Sequence, residues 1–140
     1  ANGGRAIFAF FNEIDDFVHA NEDDADLKEF IEPLKQVKAQ LQDGTMWLMQ
    51  NGMTNFDNAG AASHDYLNLF GITALTYMWA LQAKAAFAAK KNGGAGDPYF
   101  DTKLATGRYF LARTVPDTSA HLAKLKSGAG PVMALAAEAF

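Results

Sequence analysis

The sequence predicts an all-α fold, an antiparallel up-down four-helix bundle with a short apolar C-terminal tail. Three observations predict it. Apolar residues recur at spacings of three and four over four long segments. Each segment is bounded by proline, glycine or acidic residues of the kind that start and stop helices. The connections between them are short, which makes neighbouring helices antiparallel.

The first helix is expected over residues 4–20, where Ile7, Phe10, Phe11, Ile14, Phe17 and Val18 form one stripe and Glu13, Asp15 and Asp16 take the other face. The acidic NEDDAD stretch that follows alternates Asp24 and Asp26 as a calcium loop does. It lacks the turn glycine and the closing acid of such a loop, so a solvated turn capping the next helix is expected. The second helix, over 24–51, carries Leu27, Phe30, Ile31, Leu34, Val37, Leu41, Thr45 and Leu48. Pro33 predicts a kink or restart in it. Met46, Trp47 and Met49 read as core filling at the end of the bundle rather than as an adaptable contact surface, and Asn51-Gly52 as a left-handed terminus.

The central helix, over 59–91, is the element around which the others are expected to pack, because apolar residues occupy most of its circumference. Its core stripe is read as Leu67, Phe70, Ala74, Tyr77, Met78, Leu81, Ala85 and Ala88. The opposite strip, from Asp65 to Lys90, is polar except for Ile72 and Trp79. Asp97 followed by Pro98 marks the start of a fourth helix over 98–126, with Phe100, Leu104, Gly107, Leu111 and Val115 on one face. Gly107 is expected to admit a close neighbour, and Pro116 to kink or restart the helix before Leu122 and Leu125. Val132, Met133, Leu135 and Phe140 of the tail are expected to pack on the bundle or on a partner.

At 140 residues and 15.1 kDa the chain fits a single domain, 1–140, with a core large enough to need no staples. It has no cysteine, which suits a reducing compartment and a cytoplasmic location. No run approaches the roughly 18 apolar residues of a membrane span, and no helix sets a basic face against large apolar residues, so membrane association is not expected. The N-terminal ANGGRAIFAFF has neither the basic nor the long apolar part of a signal peptide. It reads as a boundary inside a longer polypeptide, of which this chain is the C-terminal part.

The net charge of −4 is uneven: residues 1–70 carry 12 acids against 4 bases, and residues 71–140 carry 4 against 8. Acidic early helices are therefore expected beside basic late ones. The balance is wrong for nucleic-acid binding, which is not expected.

Ser63, His64 and Asp65 are consecutive on a helix and point about 100° apart, so they form no nucleophile–base line. His19, His64 and His121 lie on three elements with no ligand partner at helical spacing, and no Glu-x-x-His motif occurs. The NGGAGDP loop follows no strand and precedes no GK[ST], so it is a connection rather than a phosphate cradle. Lys103, Arg108 and Arg113 are expected to pair with acids rather than to build an anion site. The residues thus offer no catalytic, cofactor-binding or metal site.

The string YLNLFGITALTYMWALQAKAA, followed by PYFDTKLATGRYFLARTVPDTSAHLAKLKSGAGPVMALAAEAF, resembles the extra C-terminal domain in a branch of the FAD-dependent acyl-CoA dehydrogenase family. The likeness runs through Leu69-Phe70-Gly71, Met78-Trp79-Ala80, Lys103, Arg108-Tyr109-Phe110, Arg113, Pro116 and Gly128-Ala129 to Phe140, and is looser over residues 4–58. It extends to the branch acting on 3-methylmercaptopropionyl-CoA. The resemblance implies that FAD, the acyl-CoA pocket and the catalytic glutamate belong to upstream domains, that no catalytic residue lies in this chain, and that the parent is a homo-oligomer. Candidate inter-domain contacts are then Ile72, Trp79, Met133, Leu135 and Phe140, the alternative being that the first helix or the tail covers Ile72 and Trp79. A second reading is a stand-alone helical bundle that binds an apolar ligand or a partner helix.

Overall fold

The computed structural model describes residues 4–139, and every expectation for Phe140 lies outside them. Within that range the regular structure is helical: α1 (Arg5–His19), α2 (Lys28–Asn51), α3 (Phe56–Ala89), α4 (Pro98–Arg113) and α5 (Asp117–Lys126). A π turn over Lys90–Gly94 ends α3, and a single 3-10 turn, Ala137–Ala139, lies in the tail. The 34 residues of α3 make a rod about 50 Å long. It packs against α2, and α4 and α5 return along it in succession, so together they form the fourth arm of the bundle.

The stripes expected for α1 and α2 are the ones buried. Ile14, Phe17 and Val18 of α1 meet Phe30, Ile31, Leu34 and Val37 of α2 in the main core, which Leu104 and Val115 close from the other side, while Phe11 packs with Leu41 and Leu69 in a second, smaller cluster. Helix α2 begins four residues later than expected. Asp24 Oδ1 accepts from Asp26 N–H at 3.0 Å and Leu27 N–H donates to Asp24 O, so the acidic residues close a turn of their own and leave α2 without a side-chain cap. The helix then runs unbroken through Pro33. Helix α4 starts as expected, with Asp97 Oδ1 accepting from Tyr99 N–H at 2.9 Å and Pro98 in the first turn. At Pro116 the chain restarts as α5.

Helix α3 reverses the expected assignment. Its buried side is Ala62, Asp65, Leu69, Ile72, Thr73, Thr76, Tyr77, Ala80, Ala83 and Ala86, which includes much of the strip read as polar and, of the stripe read as core, only Tyr77. Leu67, Met78 and Leu81, read as core, are exposed. Small side chains let the neighbouring backbones approach, and the buried hydroxyls are satisfied within the helix: Thr73 donates to Leu69 O at 2.8 Å and Thr76 to Ile72 O at 2.7 Å. Close approach recurs at Gly107, where a Cβ would lie 2.9 Å from Phe30 and 3.1 Å from Trp79.

One terminus differs from expectation. Gly52 has right-handed φ of −75° and supplies space instead, since a Cβ there would come within 3.3 Å of Ala59. Gly128, with φ of 65°, is left-handed just past α5, as Gly4 and Gly93 are elsewhere in the chain. Beside it Asn58 Oδ1 accepts from Ala129 N–H at 2.9 Å, and Asn58 Nδ2 donates to Asn51 O, joining the tail's first residue to the α2–α3 turn. Beyond this latch Val132, Met133 and Leu135 stay exposed rather than packing on the bundle.

Candidate functional site

Acids of the first half lie beside bases of the second, as the sequence predicts. Arg108 on α4 clamps Glu29 on α2 through Nε and Nη2, at 2.6 Å for the shortest contact. The carboxylate beside it raises the guanidinium's already high pKa. Lys126 on α5 reaches Asp43 at 2.6 Å, and Lys91 reaches Asp26 at 2.8 Å. Each joins an acid of the first half to a base of the second. Lys103 lies over the rings of Trp79 and Tyr99 at 5.7 and 5.8 Å, so it and Arg108 are not gathered into an anion site.

One titratable cluster was not legible in the sequence. Asp65 on α3 and His121 on α5 are both largely buried, and Oδ1 and Nδ1 lie 2.7 Å apart, with the His64 ring edge-on to His121 at 6.4 Å. The pair is 56 residues apart in sequence, so only the packing of α5 on α3 brings it together. Ser63 turns away and donates to Gly60 O at 2.8 Å, so no nucleophile meets the imidazole. Among the described residues no three His, Asp or Glu side chains converge on a cation position.

Buried Tyr77 donates to Glu13 Oε1 at 3.1 Å, tying α3 to α1. Burial, and then this carboxylate, raise the phenol above its usual pKa.

The candidate contact residues separate into two groups. Ile72 is buried in the main core, and Trp79 is half-buried against Phe110 and Gly107 of α4. Met133 and Leu135 are free to meet something else.

An open apolar surface lies elsewhere, at the α2–α3 turn. A groove of about 760 Å³ is bounded by Leu48, Met53, Phe56, Tyr66, Leu67 and Phe70. Met46 and Met49, read as core filling, are 46% exposed beside this end. A signal for this surface existed in the sequence: apolar residues covering more of α3 than one core can absorb.

The described residues thus present ionic and aromatic joints between the helices and uncovered apolar side chains on the surface. No helix among them is long and apolar enough to cross a membrane. No curated protein matches the chain. The profile of the family described as "Acetyl-CoA dehydrogenase C-terminal like" matches residues 10–136, nearly the whole sequence. The chain is therefore a member of the acetyl-CoA dehydrogenase C-terminal-like family.

Proposed function

We propose that residues 1–140 form a single structural domain at the C-terminal end of a cytoplasmic, FAD-dependent acyl-CoA dehydrogenase, and that the domain serves the quaternary packing of that enzyme. The parent would oxidise an acyl-CoA to the enoyl-CoA. The family match over residues 10–136 carries this reading. The exposed apolar side chains on α3 and in the tail support it, since they are the kind of surface that upstream dehydrogenase domains or another subunit would cover. The narrower assignment, to the 3-methylmercaptopropionyl-CoA branch, rests on the residue strings quoted above.

The groove at the α2–α3 turn does not fit a flavin diphosphate, which needs free cations or a cradle of backbone N–H groups: it is lined by apolar residues, Ser63 and Tyr66. The family resemblance assigns the flavin to the upstream domains.

The test is made on the parent polypeptide. Its flavin absorbance, acyl-CoA oxidation and sedimentation are compared with and without residues 1–140. Flavin retained with a smaller assembly after deletion is the expected outcome. A parent without flavin, or an assembly and activity unchanged by the deletion, would refute the reading.

The groove of about 760 Å³ favours one alternative, an independent bundle that binds an apolar ligand or a partner helix. A start codon immediately before this segment in its reading frame would support that alternative over the first.

A further inference from the structure

We propose that the outer face of α3 is a two-fold interface, on which α3 of a second copy of this chain lies antiparallel. The proposal rests on the domain's role in quaternary packing and names the surface that performs it.

The face has a repeat that its own bundle does not use. Phe56, Leu67 and Met78 follow one another at intervals of eleven residues, which is close to three helical turns, so they stand in one line about 16 Å apart. All three are exposed, Phe56 and Leu67 at 80% and 71%. Between them the line is filled by small residues: Gly60 and Ser63 in the first gap, Gly71 and Ala74 in the second, Ala85 beyond the third knob. A Cβ at Gly60 or Gly71 would touch nothing within 4 Å. No packing inside the chain requires glycine there, although it is among the poorest helix formers. No charged residue falls on this face.

The pattern is complementary to itself in one orientation. Turned about an axis near residue 70, an antiparallel copy sets its Gly71 and Ala74 against Leu67, its Gly60 and Ser63 against Met78, and its Ala85 against Phe56. Each knob meets a gap in both directions, as an isologous contact requires. A parallel copy in register sets knob against knob. The antiparallel copy also carries its Met78 and Leu81 to the groove between Met53, Phe56, Ser63 and Leu67, which fits the adaptability of methionine at contact surfaces.

The size is that of a small interface. A face about 45 Å long, and one helix of about 10 Å wide, contributes on the order of 500 Å² per copy. With the groove walls the pair approaches the roughly 1,200 Å² at which specific interfaces begin.

The chain contains no cysteine, so introduced thiols report the geometry without background. In the full chain, Gly71→Cys sits beside the axis and is expected to cross-link with itself under mild oxidation. Gly60→Cys and Leu81→Cys are expected to cross-link when the two proteins are mixed, and neither alone. Sedimentation should show a dimer at tens of micromolar that Leu67→Asp weakens at least tenfold, with helical circular dichroism and melting of the dilute chain unchanged.

A chain that stays monomeric and forms none of these links, or Gly60→Cys linking to itself, overturns the proposal. If Leu67→Asp instead detaches the domain from the upstream domains of a monomeric parent, the face is a docking site within one polypeptide: the two-fold contact falls and the structural role stands. A parent without flavin removes the dehydrogenase assignment, while the cross-links still decide the dimer.

Discussion

Helices α2 and α3 lie side by side in one bundle and bury themselves by opposite means. Helix α2 gathers its large side chains, Phe30, Ile31, Leu34, Val37 and Leu41, on the inner side and leaves Glu32, Lys35 and Gln36 to water. Helix α3 puts Ala62, Ala80, Ala83 and Ala86 inside, with Thr73 and Thr76 and only three large residues, Leu69, Ile72 and Tyr77, among them, and holds Leu67, Leu75, Met78 and Leu81 outside. Apolar bulk marks the buried side of a helix only when its neighbours need bulk to reach it. Where a helix is central, small residues bring the neighbouring backbones in, and large ones remain for whatever lies beyond the bundle.

Leucine truncation breaks that contrast most directly. Leu34→Ala is expected to cost about 2–5 kcal/mol, and Leu67→Ala no more than about 0.5 kcal/mol in a chain diluted to submicromolar concentration, both read from urea unfolding. Equal costs would show that the outer face of α3 is core after all.

The glycines sharpen it in sign. Gly107→Ala should destabilise by about 1–3 kcal/mol, because the new methyl meets Phe30 and Trp79. Gly71→Ala, at an open position, should stabilise the isolated fold by up to about 1 kcal/mol. Thermal melts of the two variants at one low concentration compare them.

The polar part of the inner face gives a further test. Asp65→Ala strands a largely buried imidazole and is expected to cost about 1–3 kcal/mol, with His121→Ala costing a similar amount and the double variant clearly less than the two added. Additive costs would mean that the pair does not couple α5 to α3.

The smallest effect is in alkali. Tyr77 holds its proton more tightly in the folded chain than its usual pKa of 10.0 would allow, so its contribution is complete below that pH and is lost as the pH rises through the folded-state value. Tyr77→Phe should therefore flatten the alkaline limb of a stability curve measured from pH 8 to 11. An unchanged limb would show that the phenol is no better protected than in the unfolded chain.

What could be read in the sequence follows the same division. Helices α1 and α2 were legible because a single stripe separates their apolar and charged residues, and the start of α4 because Asp97 and Pro98 state it locally. The orientation of α3 was not, since a helix apolar on most sides has no preferred face until its neighbours are in place. Asp24 was read as a cap for α2, but its carboxylate serves the turn before it, a choice between two nearby N–H groups that composition does not make. The Arg108–Glu29 clamp was foreseen as a pairing of charge classes, whereas Asp65 and His121 needed the docking of α5 to meet. The exposed contact candidates Met133 and Leu135 were singled out by their apolar character. Ile72 and Trp79 stand out as oddities on a polar strip because that strip faces the bundle: Ile72 lies in the main core and Trp79 packs on α4.

The latch at Asn58 sets a limit on what the tail can touch. Its amide fixes Ala129 against the α2–α3 turn, so the chain beyond is a leash with a known origin. Leu135 is six residues further on and cannot reach more than about 20 Å from that origin, even fully extended. Whatever surface receives the tail must therefore stand close to the end of the bundle where α2 turns into α3, the same end that carries the exposed methionines.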